Sequence, residues 1–139
     1  MAARLGHASY HAAALTRGGE VVGIIGSWHT HGLRYIEHYA LSPTARGGGL
    51  GSLFLSAFLA ESPTPTLIEV ELPTTPVQHR RISFYQRLGF HILPLDYAQP
   101  PYRKGFPRIP MHIMVCPPTA AAFEIFAKEL MPVVYGCAD

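Results

Sequence analysis

A glycine cluster at residues 46–51 constrains the fold of this chain more than any other feature. It reads Arg46-Gly47-Gly48-Gly49-Leu50-Gly51 and separates a segment of alternating residues from a segment with helical spacing. Glycine allows positive φ angles and lets the backbone approach a ligand closely. Between a strand and a helix, the N–H groups of such a loop and the positive end of the helix dipole can bind one anion. We therefore expect a phosphate-binding loop here, with a flexible surface turn as the alternative.

The segments around this loop alternate between strand and helix patterns. Gly18-Gly19 favour a hairpin with strands at 10–15 and 21–29, although the alanines at 12–14 also suit a helix. No internal repeat or linker divides the chain, so one domain is expected over residues 1–139. The other predicted strands are 33–41, 67–72, 90–95 and 111–115, and the predicted helices are 50–61, 78–88 and 120–130.

Composition argues against several classes of protein. Hydrophobic residues make up 48% and charged residues 14% of the chain, which predicts a folded protein and not a disordered one. The net charge is +2 and no run of Lys or Arg is present, so nucleic acid is not expected as a ligand. Cys116 and Cys137 complete no metal or disulfide framework and are expected to be reduced thiols. Because the chain has neither a signal sequence nor an apolar run that could cross a bilayer, the expected location is cytoplasmic, with no membrane partner.

Two nucleotide-binding motifs can be excluded by their spacing. A P-loop requires a Lys directly after the glycines, and none follows them. The Rossmann motif G-x-G-x-x-G fails because Phe54 occupies the third glycine position after Gly49 and Gly51. Neither a P-loop NTPase nor a Rossmann enzyme is therefore expected.

Two motifs stand in a defined order along the chain. The first runs from Tyr35 through the glycine loop to Phe54, as a strand, then R-x-x-G-x-G, then a helix. The second is Ile82-Ser83-Phe84-Tyr85-Gln86-Arg87-Leu88-Gly89-Phe90, a helix ending in F-Y-x-x-x-G-F. Together they resemble the acetyl-CoA-binding motif and the second motif of the GNAT N-acetyltransferase family, over residues 10–115. The resemblance implies an α/β (α+β) fold, with a mixed, mostly antiparallel central sheet flanked by helices. It also implies transfer of an acetyl or acyl group from acetyl-CoA to a primary amine of a small molecule or peptide.

The resemblance further implies which residues bind acetyl-CoA, the expected co-substrate. Backbone amides of the glycine loop would bind the pyrophosphate, with the Arg46 side chain as a cation. The end of the preceding strand would pair with the pantetheine arm. No metal is expected. The implied binding residues are Tyr39, Ala40, Leu41, Arg46, Gly47, Gly48, Gly49, Leu50, Gly51 and Ser52.

Acyl transfer to an amine needs a base for the amine proton and can use an acid for the leaving thiolate. Tyr85 matches the family tyrosine near the CoA sulfur and is expected to be the acid, with packing on its helix as the alternative. Glu37 is the preferred base because alternation places it on one face with Tyr35 and Tyr39, and an exposed strand carboxylate is the alternative. His38 points the opposite way by alternation and is the second choice, although a strand bulge would exchange the two.

The connection at 99–110 is rich in proline and long enough for an ordered arm or lid. Tyr97, Tyr102 and Phe106 in and beside it are expected to line an acceptor pocket. They indicate an apolar or aromatic element in the substrate.

Some residues depart from the family pattern or allow another interpretation. The family's second motif commonly carries an Asn and a small residue where this chain has Gln78 and Arg81, so Asn contacts to CoA are not expected. The basic residues at 79–81 either face solvent or add charge near the adenosine phosphates. His29 and His31 could share a zinc ion if a third ligand joined them, but ordinary turn histidines explain the pair better. A non-catalytic acyl-CoA-binding or assembly module of the same fold is the alternative function.

The region before the hairpin is short for this family. A strand and two helices usually precede the hairpin, which takes roughly 35 residues, whereas at most nine residues precede Tyr10 here. We expect apolar surface on one side of the sheet, which either the C-terminal helix or a second copy of the chain covers. A homodimer is the favoured alternative because one helix is a small substitute for three elements.

Overall fold

The computed structural model describes residues 8–136 of the chain. None of its helices is both long enough and apolar enough to cross a bilayer. The strands of the sheet are β1 (Ser9–Arg17), β2 (Glu20–His29), β3 (Arg34–Leu41), β4 (Thr66–Glu71), β5 (His91–Ile92), β6 (Tyr97–Gln99) and β7 (Ile109–Cys116). The helices are α1 (Leu50–Ala60), α2 (Pro76–Arg87) and a C-terminal helical segment made of Ala122–Ile125, Phe126–Leu130 and Met131–Val134.

The sheet is mixed and mostly antiparallel. Its strand order is β1-β2-β3-β4-β7-β5, and β6 also pairs with β7. Among the described strands, only β3 and β4 run parallel, and their pairing is limited to Arg34 with Thr66 and Tyr35 with Leu67. Beyond these pairs the two strands share no further ladder, so a split opens in the middle of the sheet. This split sets the position of the site described below.

Apolar side chains pack on both faces of the sheet. On the helix face, α1 and α2 bury Leu55, Phe58 and Ile82 against the sheet. On the C-terminal face, the C-terminal helical segment buries Phe126 and Leu130, which are fully inaccessible. Burial of one such large side chain stabilises the fold by roughly 1.5–3 kcal/mol. The sheet residues in contact with the C-terminal helical segment include Leu33, Tyr35, Leu67, Ile113 and Val115.

The C-terminal helical segment is one of the two covers expected for the apolar face of the sheet. It begins near the predicted start of the last helix and continues to Val134, with Tyr135 buried directly after it. By contrast, β1 is an edge strand and is exposed along nearly all its length. The homodimer, which is the other expected cover, stays a prediction.

Most predicted elements are confirmed, with shifted bounds. The hairpin turns at Gly18 and Gly19, with φ angles of 61° and 84°, and the alanines before it are strand and not helix. Helix α2 begins two residues early because the Thr75 side chain caps Gln78, whose own side chain bonds back to Thr75. The strand predicted at 90–95 shrinks to β5, since Pro94 has no N–H to donate to a ladder.

The predicted alternation of faces along β3 is wrong because a β-bulge interrupts the strand. Ile36 and His38 pair with consecutive residues of β2, which leaves Glu37 without a partner in that ladder. An extra residue reverses the alternation beyond it. Tyr35 therefore packs on the C-terminal face, whereas Tyr39 packs on the helix face.

Candidate active site

The glycine loop lies at the N-terminus of α1 with its backbone open. Gly49 is the N-cap residue of α1 with a φ of 77°, and Gly47 has a φ of 92°. Among the described residues no side chain caps α1. A Cβ atom built on Gly47, Gly48 or Gly49 would meet no other group within 4 Å. The first N–H groups of α1 and the positive end of its dipole are therefore available to an anion.

Gly51 is required for a different reason, which is close packing. A Cβ atom at Gly51 would lie 2.8 Å from Tyr39 Oη and 2.9 Å from Leu41 Cδ1. Tyr39 Oη donates a hydrogen bond to the Gly51 carbonyl oxygen at 3.0 Å, and its ring stacks on Phe84. Burial, together with the nearby Tyr85, raises the pKa of Tyr39 to about 12, so this phenol stays protonated at neutral pH. These contacts hold the end of β3 against the start of α1.

A cleft of about 770 Å³ joins the glycine loop to the split between β3 and β4. Its volume lies in the range of ligand sites in proteins. Arg46, Arg80 and Arg81 line the cleft together with the loop, whereas Glu37 and Glu69 line it at the split. The cleft therefore has a cationic end suited to phosphates and an anionic end suited to an amine.

Most of the residues predicted to bind or react lie on the wall of this cleft, but their roles stay predictions. Gly48 and Leu50 in the loop and His38 on β3 are not among its lining residues. The predicted residues that do line it are Glu37, Tyr39, Ala40, Leu41, Arg46, Gly47, Gly49, Gly51, Ser52 and Tyr85.

Tyr85 projects from α2 into the cleft wall between two aromatic rings. Its ring centroid is 5.4 Å from that of Phe84 and 5.6 Å from that of Phe90, both in edge-to-face geometry. Burial raises the pKa of Tyr85, and the positive charge of Arg81 opposes that rise. The phenol is therefore protonated at neutral pH, and Tyr85 is one of the residues that line the cleft. Tyr85 thus packs on its helix and lines the cleft at the same time.

Glu37 and His38 lie side by side at the bulge of β3. His38 Nε2 is 3.7 Å from Glu37 Oε2, and the His38 side chain is 63% exposed whereas that of Glu37 is 12% exposed. Trp28 Nε1 donates to Glu37 Oε1 at 2.8 Å, and Tyr102 Oη donates to Oε2 at 3.0 Å. The alternative of an exposed carboxylate is therefore wrong, because Glu37 is nearly buried and both of its oxygens accept hydrogen bonds.

Glu69 is a site residue that the sequence motifs did not predict. It lies on β4 and accepts hydrogen bonds from the hydroxyls of Tyr35 and Tyr97. Tyr135 Oη lies 2.7 Å from Oε1 and 2.9 Å from Oε2, and Gln99 Nε2 donates to Oε1 at 3.1 Å. Burial, and then the negative charge of Glu69, raises the pKa of all three tyrosines. The sequence signal that could have indicated Glu69 is that it is the lone carboxylate within the apolar strand at 67–70.

Two of the three arm residues predicted to line an acceptor pocket contact these carboxylates. Tyr97 bonds to Glu69 and Tyr102 bonds to Glu37. Phe106 does neither and is 58% exposed, with the Arg103 guanidinium 5.2 Å from its ring centroid. Of the three residues, the two that come first in the chain therefore contact the carboxylates at the split.

The histidines proposed as an alternative zinc pair do not share a ligand site. His29 Nε2 lies 2.9 Å from Ser27 Oγ, its ring stacks on His11 at 4.0 Å, and His31 is exposed. Burial, together with the charges of His11 and Arg34, lowers the pKa of His29 to about 4. Among residues 8–136, no three His, Cys, Asp or Glu side chains are grouped so that they could hold a metal ion.

Comparison with known proteins adds sequence and structural relatives. The family model for acetyltransferases of the GNAT family matches residues 2–90. A protein from Bacteroides thetaiotaomicron, described as a GNAT-family acetyltransferase, is 35% identical with a TM-score of 0.83, over 91% of this chain and 73% of that one. No curated protein matches the sequence.

Two more distant solved structures share the fold. A GNAT acetyltransferase from Elizabethkingia anophelis, solved with acetyl-CoA bound, is 14% identical with a TM-score of 0.62, over 77% of this chain and 75% of that one. A Bacillus subtilis acetyltransferase solved in complex with CoA is 16% identical with a TM-score of 0.58, over 76% of this chain and 75% of that one. These matches confirm the predicted fold class of a mixed sheet flanked by helices. The chain belongs to the GNAT family of acetyltransferases.

Proposed function

We propose that this protein transfers an acetyl or related acyl group from acyl-CoA to a primary amine of a small molecule or peptide. The observation that carries the proposal is one cleft that contains the open glycine loop, Tyr85 and Glu37. The loop suits the phosphates of CoA, and the two side chains suit the two proton transfers that the reaction needs. Membership of the GNAT family supports acyl transfer as the reaction class.

The residues present fit acyl-CoA as the donor. The uncapped N-terminus of α1, with Arg46, Arg80 and Arg81 beside it, offers N–H donors and positive charge to the phosphates. The edge of β3 that faces the split has no β4 partner after Tyr35, so its N–H and C=O groups are available to the amides of pantetheine. Bound acyl-CoA would supply the thioester carbonyl that the amine attacks.

Glu37 is the proposed base for the amine proton. Trp28 and Tyr102 each donate to a different oxygen, which fixes the carboxylate while a second lone pair on each oxygen remains. His38 is the second candidate, because it lies 3.7 Å from Glu37 and is more exposed. The proton taken up at Glu37 or His38 then passes to solvent.

Tyr85 is the proposed acid for the leaving thiolate. Its pKa is raised by burial, so Oη carries its proton at neutral pH and can donate it to sulfur, after which solvent returns a proton to the phenolate. Removal of this hydroxyl in Tyr85→Phe keeps the ring packing against Phe84 and Phe90. We expect kcat to fall roughly ten- to a thousandfold with little change in acyl-CoA affinity.

The deciding experiment measures thiol release from acetyl-CoA with a panel of primary amines. We expect amine-dependent release from the wild-type protein, a strong loss in Tyr85→Phe, and wild-type rates in the matched control Tyr10→Phe, whose residue lies on the exposed edge strand. Calorimetry should find acetyl-CoA binding in the micromolar range. Binding without release under any amine would favour the non-catalytic acyl-CoA-binding module. No binding at millimolar ligand by folded protein would exclude both functions.

Three further features are proposed with this function: one domain over residues 1–139, a cytoplasmic location and a homodimer. The dimer is supported by apolar side chains exposed on the β1–β2 hairpin, where Tyr10, Val21 and Ile24 are 47%, 63% and 43% exposed. Light scattering at tens of micromolar protein tests it, and a strict monomer would contradict it.

A further inference from the structure

Glu37 on β3 and Glu69 on β4 lie on the two sides of the split. The parallel ladder of β3 and β4 ends at the pair Tyr35 and Leu67, and the two carboxylates stand two residues beyond this pair on each strand. Both line the cleft at the split. Like charges that line one cleft repel each other, so other groups have to stabilise this arrangement.

Neutral side chains stabilise Glu69. Its donors come from three separate parts of the chain: Tyr35 on β3, Tyr97 and Gln99 on β6, and Tyr135 after the C-terminal helical segment. Among the described residues no Lys, Arg or His forms an ion pair with it. Hydrogen bonds to an ionised acceptor are stronger than those between neutral groups. Glu69 therefore fixes the position of side chains from β3, β6 and the C-terminus.

A chain of contacts leads from Glu69 to the proposed base. Tyr135 bonds to Glu69 through Oη, and its ring lies 4.9 Å from the ring of Tyr102 between centroids. Tyr102 in turn donates to Glu37 Oε2 at 3.0 Å. Tyr102 belongs to an exposed segment and is itself 54% exposed, and its contacts include the ring of Tyr135 and the carboxylate of Glu37.

We propose that Glu69 is a positioning residue, which holds Tyr135 and through it Tyr102 against the carboxylate of Glu37. Its effect on the reaction is indirect, because it orients the base and does not itself take the amine proton. This inference rests on the proposed function of Glu37. It gives Tyr135, which follows the C-terminal helical segment, and the arm residue Tyr102 a role in acyl transfer.

A purely structural role for Glu69 would have other consequences. Replacement of a carboxylate that accepts several hydrogen bonds leaves its donors unpaired, which destabilises the fold. A structural role would therefore change the melting temperature and leave the turnover of the folded protein intact. A positioning role changes kcat in a way that depends on Tyr102.

The test is a double-mutant cycle of Glu69→Gln and Tyr102→Phe, each measured by kcat, by KM for acetyl-CoA and by melting temperature. We expect each single variant to lower kcat about three- to tenfold, with KM for acetyl-CoA unchanged. The double variant should lose no more activity than the stronger single variant, because both changes break one chain of contacts.

Tyr135→Phe provides a second cycle with Tyr102→Phe in case Glu69→Gln does not fold. This variant removes the hydroxyl that contacts Glu69 and keeps the ring that contacts Tyr102. We expect Tyr135→Phe to lower kcat in the wild-type background and to cause no further loss when Tyr102→Phe is already present. Matched controls are Tyr10→Phe and Glu20→Gln, both at exposed positions of the hairpin, which should keep wild-type kcat.

Several outcomes separate this inference from the proposed function. Additive losses in both cycles, or a lower melting temperature with unchanged kcat, would overturn the positioning role of Glu69 and leave acyl transfer in place. A wild-type protein that releases no thiol with any amine would contradict the proposed function itself. Wild-type activity in Glu37→Gln would show that another group is the base, and the positioning role would then also be lost.

Discussion

The two ends of the cleft are built in different ways. At the cationic end, the donors for an anion are backbone groups from a few consecutive residues, Arg46 to Gly51. At the anionic end, Glu37 and Glu69 are held by side chains from distant parts of the chain. These partners include Trp28 on β2, Tyr102 in the arm and Tyr135 after the last helix.

This difference shows which properties each end can control. A backbone site at a helix N-terminus depends on local φ angles and open space, so it tolerates changes elsewhere in the fold. A side-chain network depends on the correct arrangement of several elements, and the loss of one partner leaves another polar group unpaired. Changes at the loop should act on acyl-CoA affinity, and changes at the split should act on turnover.

The largest effect is expected for Glu37→Gln. The amide keeps the shape of the side chain but cannot take the amine proton, so kcat should fall by about a hundredfold or more with unchanged acetyl-CoA affinity. The matched variant His38→Gln should have a much smaller effect. A greater loss in His38→Gln than in Glu37→Gln would assign the base to His38. The side-chain network at the anionic end would then not hold the base.

The next effect is expected at the loop. Gly49→Ala places a side chain at a φ of 77°, which costs about 1–2 kcal/mol. If the loop relaxes in the free protein, binding has to restore the strained angle, and the Kd of acetyl-CoA should rise about tenfold with kcat retained.

Gly48→Ala is the matched control for strain, because Gly48 is not among the residues with positive φ and has open space beside it. Equal losses of affinity in Gly48→Ala and Gly49→Ala would indicate a steric clash with the ligand and not backbone strain. Unchanged affinity with a lower melting temperature in Gly49→Ala would show that the fold holds the loop rigidly.

The same difference explains how much could be predicted from the sequence. The glycine loop, its flanking strand and helix and Tyr85 all belong to short motifs, and the structure places most of the predicted loop residues on the cleft wall. The hairpin at Gly18-Gly19 is likewise a local signal that the structure confirms.

At the anionic end, Glu37 and Tyr102 were predicted as site residues, but Glu69 and the contacts between side chains could not be predicted, because the partners are far apart in sequence. Tyr135 and Glu69 are 66 positions apart, and Tyr102 and Glu37 are 65 apart. No periodicity within a strand or helix connects such residues. An alternating pattern also does not reveal the bulge at Glu37, which places Tyr35 and Tyr39 on opposite faces of the sheet.

A smaller effect is expected from the arginines at the cationic end. Arg80 lines the cleft, whereas Arg87 on the same helix is exposed and does not. Arg80→Gln should raise KM for acetyl-CoA about two- to fivefold at low salt, and the difference should shrink near 0.5 M salt because exposed charges are screened. Arg87→Gln is the matched control. Equal effects of the two variants would mean that general charge, and not the cleft, attracts the nucleotide.

The smallest effect concerns stability and should leave both ends of the cleft intact. His29 lies beside Phe58 of α1, and burial, with the charges of His11 and Arg34, lowers its pKa from 6.5 to about 4. Above pH 6.5 neither the folded nor the unfolded state binds this proton, so His29 does not reduce stability. As the pH falls from 6.5 towards 4, the unfolded state binds the proton first, and stability is lost. At pH 5, after allowance for partial exposure, the loss is about 1 kcal/mol, or about 3 °C in melting temperature. His29→Gln should show a smaller drop between pH 7.5 and pH 5 than wild type, whereas His31→Gln, at an exposed position, should show the full drop. The same drop in all three proteins would assign the acid sensitivity to other groups.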